Sequence, residues 1–531
     1  MFDVLIKNGT VIDGTGRLRF RADVVIENGR IADVGQFPAA QAHKVLDAQG
    51  LIVAPGFIDT HVHSDVMLLA DPQHPQGILQ GITTEVLGQD GLSYAPLSYE
   101  NLEMYRRYLA GLNGNPDIAW DWRSVKEYRS RFDGTVAVNT VYQVPHGAIR
   151  LETVGFKDVP LTGEYLEKAK QIIYKAFEEG AVAFSTGMSY YPCSFSDTDE
   201  MVELCKATRE AGGLYVTHQR TVFRKGQTPF DPTGETLEIA RRSGVKVHFS
   251  HYRTGPGNRG QAAKLMEPIE AGLQAGLDLT LELYPYPTGS GYCLIFLPYW
   301  AVDGGYWEIM KRLGDPATRK EIAYNLDPVN LSNRRWDEVA FSYIPSERNR
   351  WMVGKSFAEV AAARGTTPEE MLMEVLYEEG LGVGHCGLPP RDPAIGEALE
   401  RDHLTLLSKP YYMVGSDSIS VGTRPHPRGW GCFPRFLRLQ RKHPDLISLE
   451  ALINRMAYVP AQRFQLKDRG EIARGKAADI VVFNPETVTD LATFENPKRH
   501  PAGIEHVLVN GRLAVEFGIC LGVYAGRALP A

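Results

Sequence analysis

Leu51-Ile-Val-Ala-Pro-Gly-Phe-Ile-Asp-Thr-His-Val-His63 decides how this 531-residue chain is read. The run is apolar, is broken by Pro55-Gly56, and ends on two histidines two positions apart. Side chains two apart on a strand point the same way. His61 and His63 therefore leave the strand end together, close enough to hold one cation. Neutral imidazole is a common ligand for zinc and similar metals. A lone His-x-His is as readily a surface or core pair, but four further candidate ligands follow downstream.

Each of the four lies just past a run that reads as a strand. Asp90 follows Thr83–Leu87 in the loop Gly88-Gln-Asp-Gly91, where an ordinary turn aspartate would also fit. His218 follows Leu214–Thr217, and His251 follows Val247–Ser250; His248 is out of phase with that strand end and reads as structural. Asp417 follows Tyr412–Ser416 and would also suit a helix N-cap. Glu85 is a further acid, but it sits inside its strand. Singly these signals are weak. Together they place four histidines and two aspartates at strand ends, enough for one or two divalent metals. A bound cation lowers the pKa of water, and a neighbouring carboxylate can carry the proton to a leaving nitrogen. The chemistry implied is hydrolysis, most naturally of an amide.

The surrounding pattern is α/β. Tyr165, Leu166, Ala169, Ile172, Ile173, Ala176 and Phe177 fall at helical spacing after Thr162, and Gly180 ends that helix. Helices over about 198–210, 234–242 and 262–275 alternate with strands at Val136–Val138, Val182–Phe184, Leu214–Val216, Val245–Phe249, Leu279–Leu283 and Tyr411–Val414. Repeated strand–helix units over about 400 residues fit a (β/α)8 TIM-like barrel, whose strand ends converge on one mouth. Both termini are strand-rich instead: Val4–Ile6, Val24–Ile26 and Ile31–Val34 at one end, Ile480–Phe483 and Val507–Val509 at the other. Asn8-Gly9, Asn28-Gly29 and Asn510-Gly511 read as hairpin turns. The expected architecture is a barrel over 56–467 plus a small β-sandwich built from 1–55 and 468–531. A Tyr-, Pro-, Gly- and Trp-rich insertion or long loop is expected over about 284–343.

Bulk properties fit a soluble enzyme. Apolar residues make up 44% and charged residues 23%, and the formal net charge is −7. Nothing there suggests a nucleic-acid or acidic-lipid partner. The amino terminus reads as a strand rather than a signal peptide, and no apolar run is long enough to cross a bilayer. Six scattered cysteines without Cys-x-x-Cys spacing read as reduced thiols, and the expected compartment is the cytoplasm.

The chain closely resembles the amidohydrolase superfamily and, within it, the N-acyl-D-amino-acid deacylases (D-aminoacylases). The resemblance spans essentially the whole length. It rests on Ala54-Pro-Gly-Phe-Ile-Asp-Thr-His-Val-His63, Phe184-Ser-Thr-Gly-Met-Ser-Tyr190, Gly213-Leu-Tyr-Val-Thr-His218, Tyr284-Pro-Tyr-Pro-Thr-Gly-Ser290, Leu297-Pro-Tyr-Trp300 and Gly415-Ser-Asp-Ser418. Arg424-Pro-His-Pro-Arg-Gly-Trp-Gly431, Phe433-Pro-Arg435, Arg469-Gly-Glu-Ile472 and Gly475-Lys-Ala-Ala-Asp-Ile480 are further matches.

That resemblance implies roles position by position. His218 and His251 match the histidines of a tightly held zinc, and His61 and His63 those of a second, weaker site. Asp417 matches the general base and acid, and Tyr190 a tyrosine that helps polarise the scissile carbonyl. Arg428 matches the arginine that grips the substrate α-carboxylate, with Arg253 (where a lysine is usual) and Tyr284 as further contacts. One departure stands out. The family usually reads Gly-Asn-Cys-Gly where this chain has Gly88-Gln-Asp-Gly91, so a carboxylate replaces a thiolate. A harder ligand favours manganese or cobalt more than a thiolate does, so zinc, manganese and cobalt stay open, as does the count of one or two ions.

The expected partner is a small N-acyl-D-amino acid, and the expected assembly is a monomer or homodimer. Two alternatives keep the fold. A D-residue dipeptidase or a cyclic amidase of the hydantoinase or dihydropyrimidinase type would use the same metal chemistry, although no lysine stands where cyclic amidases carry a carboxylated one. A non-catalytic assembly would have lost its ligands, whereas all are present here. Leu294, Phe296, Leu297 and Tyr299 suggest either an apolar side-chain pocket or ordinary core packing.

Overall fold

Eight parallel strands follow one another in chain order around the central sheet: Phe57–Asp59, Ile82–Leu87, Asn139–Pro145, Ala183–Gly187, Leu214–His218, Lys246–Phe249, Leu279–Leu283 and Tyr412–Val414. The last also meets the first. Thr60 N–H donates to Val414 O (3.3 Å), Asp417 N–H donates to His61 O (2.7 Å), and Val62 bridges Ser418. The ring is thereby nearly closed into a TIM-like barrel. This computed structural model describes residues 1–221, 231–326 and 335–530.

The strands are short and almost wholly buried because helices cover their outer faces. Gly163–Glu178 turns Ala169, Ile173 and Ala176 inward, while Tyr165 is left exposed. Thr162 precedes that helix without a side-chain cap bond. Thr198–Glu210 is capped by Asp197, whose carboxylate accepts from Glu200 N–H (2.8 Å). The apolar run Val136–Val138 lies just before a strand that begins at Asn139, so the expected strand is displaced by three residues.

The two chain ends join in one nine-stranded sheet. Ile52–Pro55 pairs with Phe2–Val11 on one side and antiparallel with Ile480–Phe483 on the other. Val24, Ile26, Val53, Ile480, Val482 and Leu508 share its core. The stretch from Leu51 to His63 therefore does two jobs: Ile52–Pro55 finishes the outer sheet, and Phe57–Asp59 starts the barrel. Asn28-Gly29 (φ +53° and +76°) and Asn510-Gly511 (φ +50° and +76°) make the expected tight hairpins. Asn8-Gly9 does not. It forms a bulge inside the single strand Phe2–Val11, with Asn8 at φ +61° and its N–H turned to the Asp23 carboxylate (2.9 Å).

Between Leu279–Leu283 and Tyr412–Val414 the chain leaves the barrel. It builds a three-stranded antiparallel sheet from Ser290–Tyr292, Val339–Tyr343 and Gly384–Gly387, flanked by helices that include Gly305–Gly314 and Pro368–Glu378. Residues 327–334, within the expected insertion, lie outside the described residues. Leu294, Phe296 and Leu297 are buried in the main core, and Phe296 packs against the rings of Trp336, Phe357 and His385. Their side chains are part of the core packing. Among the described residues no helix is long and apolar enough to cross a membrane, and no disulfide joins the cysteines.

Candidate metal centre

All six expected ligands converge at the C-terminal ends of the barrel strands. Asp90 Oδ2 lies 3.6 Å from His61 Nε2, 3.5 Å from His63 Nε2 and 3.7 Å from His218 Nδ1. Asp417 Oδ1 lies 3.6 Å from His61 Nε2 and 3.4 Å from His63 Nε2. His218 Nδ1 and His251 Nε2 are 2.8 Å apart. Two overlapping groups, His61/Asp90/His251 and His61/His63/Asp417, each have their ligand atoms within 4.8 Å of one another.

Three of these residues sit on unusual backbone. Asp90, His251 and Asp417 have φ of +56°, +36° and +52°. Left-handed geometry costs a non-glycine residue on the order of 1 kcal/mol, and it persists only where surroundings enforce it. For Asp417 the enforcing contact is its N–H bond to His61 O. For Asp90 it is the turn Gln89–Gly91: Gln89 Nε2 donates to Thr60 O (2.6 Å), and Gly88 packs so tightly that a Cβ there would fall 2.3 Å from Gln143 O. The sharp turns at the strand ends aim these side chains inward.

The donor set suits a divalent cation. His61 is fully buried; its Nδ1 bonds Glu282, and its Nε2 has no hydrogen-bond partner. Asp90 Oδ1 is likewise buried and unpartnered. Burial alone would raise the Asp90 carboxyl, but His61, His63 and His218 hold it well below the usual carboxylate range. Asp417 follows the same logic: burial opposes ionisation, and Arg428, His61, His63 and His251 outweigh it. Burial lowers His218, and burial together with the facing His218 lowers His251 to about 3. Both imidazoles are thus neutral, the form that can take a cation, and are turned toward two ionised carboxylates.

The residues expected on the substrate side flank this cluster. Arg428 is fully buried, pairs with Asp417 (NH1 to Oδ2, 2.8 Å), and donates through NH2 to Ser290 O (3.3 Å). Its Cζ lies 4.6 Å from the Tyr284 ring centre, and that of Arg253 lies 4.2 Å from the same ring. Tyr190 is partly buried, with its ring 4.6 Å from His218 and 5.8 Å from Tyr292. Glu85 stays outside the cluster, bonded to Ser64 and His74 at 2.5 Å each. A cavity of about 160 Å³ lined by Pro285, Tyr286, Pro389, His403 and Phe494 includes none of the six candidate ligands.

Two residues escaped the sequence reading. Glu282 lies within Leu279–Leu283 and contacts His61 directly. Asp59 Oδ1 accepts from His61 N–H (3.2 Å) and Ser416 N–H (2.8 Å), tying together the two loops that carry His61 and Asp417. The available signal was an acid inside an otherwise apolar strand.

The chain is similar to several known proteins. The amidohydrolase family model matches residues 44–177 and 343–515. The chain is similar to D-aminoacylase of Alcaligenes xylosoxydans xylosoxydans, with 31% identity covering 99% of this chain and 97% of that protein. It is 32% identical to N-acyl-D-glutamate deacylase of the same organism, covering 96% and 93%. A crystal structure of N-acyl-D-glutamate deacylase from Bordetella bronchiseptica, complexed with zinc and a phosphonate that mimics the tetrahedral intermediate, superposes over 100% of both chains with a TM-score of 0.80 at 28% identity. The chain belongs to the amidohydrolase family and, within it, to the N-acyl-D-amino-acid deacylases.

Proposed function

We propose that this protein hydrolyses the amide bond of N-acyl-D-amino acids, releasing a carboxylate and a free D-amino acid. The observation that carries the reading is the convergence of His61, His63, Asp90, His218, His251 and Asp417, with Arg428 paired to Asp417 at 2.8 Å. A divalent cation held by these ligands supplies Lewis acidity, lowering the pKa of water and polarising a carbonyl. Asp90 Oδ2 faces His61, His63 and His218 alike, so Asp90 would hold a cation together with these imidazoles. Zinc accompanies the relative from Bordetella bronchiseptica, and the carboxylate at Asp90 makes manganese and cobalt reasonable occupants as well.

The chain's own groups do the rest. Asp417 accepts a proton from the attacking water and delivers it to the amine nitrogen as the C–N bond breaks. The Tyr190 hydroxyl donates to the carbonyl oxygen as negative charge builds there. Arg428 and Arg253, set about Tyr284, orient the substrate by its α-carboxylate. The D preference rests on the activities of D-aminoacylase and N-acyl-D-glutamate deacylase, to which the chain is similar along nearly its whole length. A panel of N-acetyl-D- and N-acetyl-L-amino acids, run on protein of measured metal content, tests the reading. Turnover of D forms is expected. Turnover of L forms alone rejects the stereochemical part, and ring opening of hydantoins without action on acyl amino acids moves the protein to the cyclic amidases.

A further inference from the structure

We infer that Glu282 is the positioning residue of the metal centre, a single carboxylate that orients ligands from both histidine pairs. The inference rests on the metal-dependent reading above.

Glu282 is fully buried on the seventh barrel strand, where Leu279, Leu281 and Leu283 are apolar. Its carboxylate accepts from four donors. Oε1 takes the Nδ1–H of His61 and the N–H of His251 (3.4 Å). Oε2 takes the hydroxyl of Thr60 (2.5 Å) and the Nε2–H of His248 (3.1 Å). His248 Nδ1 in turn faces the Thr280 hydroxyl at 2.9 Å. A chain of polar contacts, Thr280–His248–Glu282–His61, thus crosses the barrel floor beneath the ligands.

Each contact has a consequence for cation binding. An ionised carboxylate can only accept, so His61 must carry its proton on Nδ1. That leaves Nε2, which faces Asp90 and Asp417, as the nitrogen a cation would take. A carboxylate behind a ligating imidazole also raises its basicity and fixes its ring plane. The bond to His251 N–H supports a residue held at φ +36°, so the same group steadies the ligand on the opposite side. Gly415 makes room: a Cβ there would lie 2.6 Å from Glu282 Oε2 and 2.7 Å from His61 Cβ. His248 acts through Glu282, which accounts for a histidine that faces away from the ligand cluster.

Glu282→Gln tests the idea at constant volume. The amide NH2 sets a donor against donors and removes the charge. Apparent zinc and cobalt affinities of the full-length protein are measured by chelator competition, bound metal by elemental analysis, and the cobalt site by its visible spectrum. The expected result is a 10- to 100-fold loss of affinity with an altered cobalt spectrum, the size typical of groups behind a metal ligand. His248→Gln keeps a donor to Glu282, and its affinity should stay near the parent's, whereas His248→Phe should weaken binding. Should Glu282→Gln fail to fold, the His248 pair carries the same test. A Glu282→Gln protein with the parent's affinity and cobalt spectrum overturns the inference while leaving the metal reading intact. A parent that binds no divalent cation overturns both.

Discussion

Asp417 turns its two carboxylate oxygens to different partners: Oδ2 pairs with Arg428 NH1 at 2.8 Å, and Oδ1 faces His63 Nε2 at 3.4 Å and His61 Nε2 at 3.6 Å. The oxygen on the ligand side is free to handle a proton, while the other is held by a fixed cation. Replacing Asp417 by Asn keeps the shape and removes the base. The expected fall in kcat is about 10²- to 10⁴-fold, the usual contribution of a positioned base. Steady-state kinetics alongside a thermal melt checks this. Full activity in a folded Asp417→Asn protein excludes the assigned role.

Arg428 carries two demands, since it neutralises Asp417 and is proposed to orient the substrate carboxylate. Arg428→Lys retains the charge but loses the planar fork and the contact with Ser290 O. A charged hydrogen bond is worth about 1.5–3 kcal/mol, so kcat/KM should drop roughly 10- to 100-fold, chiefly through KM. Comparing N-acetyl-D-leucine with its amide, which lacks the carboxylate, separates the two demands. The penalty should shrink for the amide, and an equal penalty for both compounds counts against carboxylate recognition.

Asp90 is within 3.5–3.7 Å of three imidazole nitrogens from two strand ends. Asp90→Ala should lower the number of divalent ions retained per chain. Asp90→Cys puts a softer thiolate in the same place and should shift competition between zinc and manganese toward zinc. Elemental analysis after equilibration with both metals reads the two outcomes. An unchanged metal ratio in Asp90→Cys removes Asp90 from the first coordination sphere.

Much of this was legible before the fold was known, for a physical reason. Barrel strands buried on both faces must be apolar, and a polar side chain just past such a run stands out; His61, His63, His218, His251 and Asp417, which the fold brings together, all announce themselves in this way. Glu282 does not, because its meaning depends on what the barrel sets opposite it: Thr60 and His61 are more than 200 residues away in the chain. The Asp417–Arg428 pair is hidden similarly, since each residue alone already has an ordinary reading. Local errors had local causes. Asn8-Gly9 has the composition of a hairpin turn, yet Asp23 accepts the Asn8 N–H and the strand continues past a bulge. Val136–Val138 is as apolar as any strand, and only pairing with the neighbouring strand, Thr84 to Asn139, shows that the strand starts later.

Acid stability supplies a test away from the metal centre. Glu200 is buried beside Arg150 (NH1 to Oε1, 2.7 Å) and His146 (Nε2 to Oε1, 3.2 Å), and it accepts from Leu161 N–H (2.9 Å). Burial opposes its ionisation, but His146, Arg150 and the Leu161 N–H prevail and lower it from 4.5 to about 2. The folded state therefore binds this proton more weakly than the unfolded chain does. The resulting stability is fully present above pH 4.5 and is lost as pH falls from there toward 2. Each tenfold weakening of proton binding is worth about 1.4 kcal/mol, so the contribution is on the order of 3 kcal/mol. Glu200→Gln should lower stability at pH 7 and flatten its dependence on pH over that acid range. Urea unfolding between pH 2 and pH 7 of parent and variant measures the difference. Parallel curves for the two proteins would mean that Glu200 does not couple folding to this protonation.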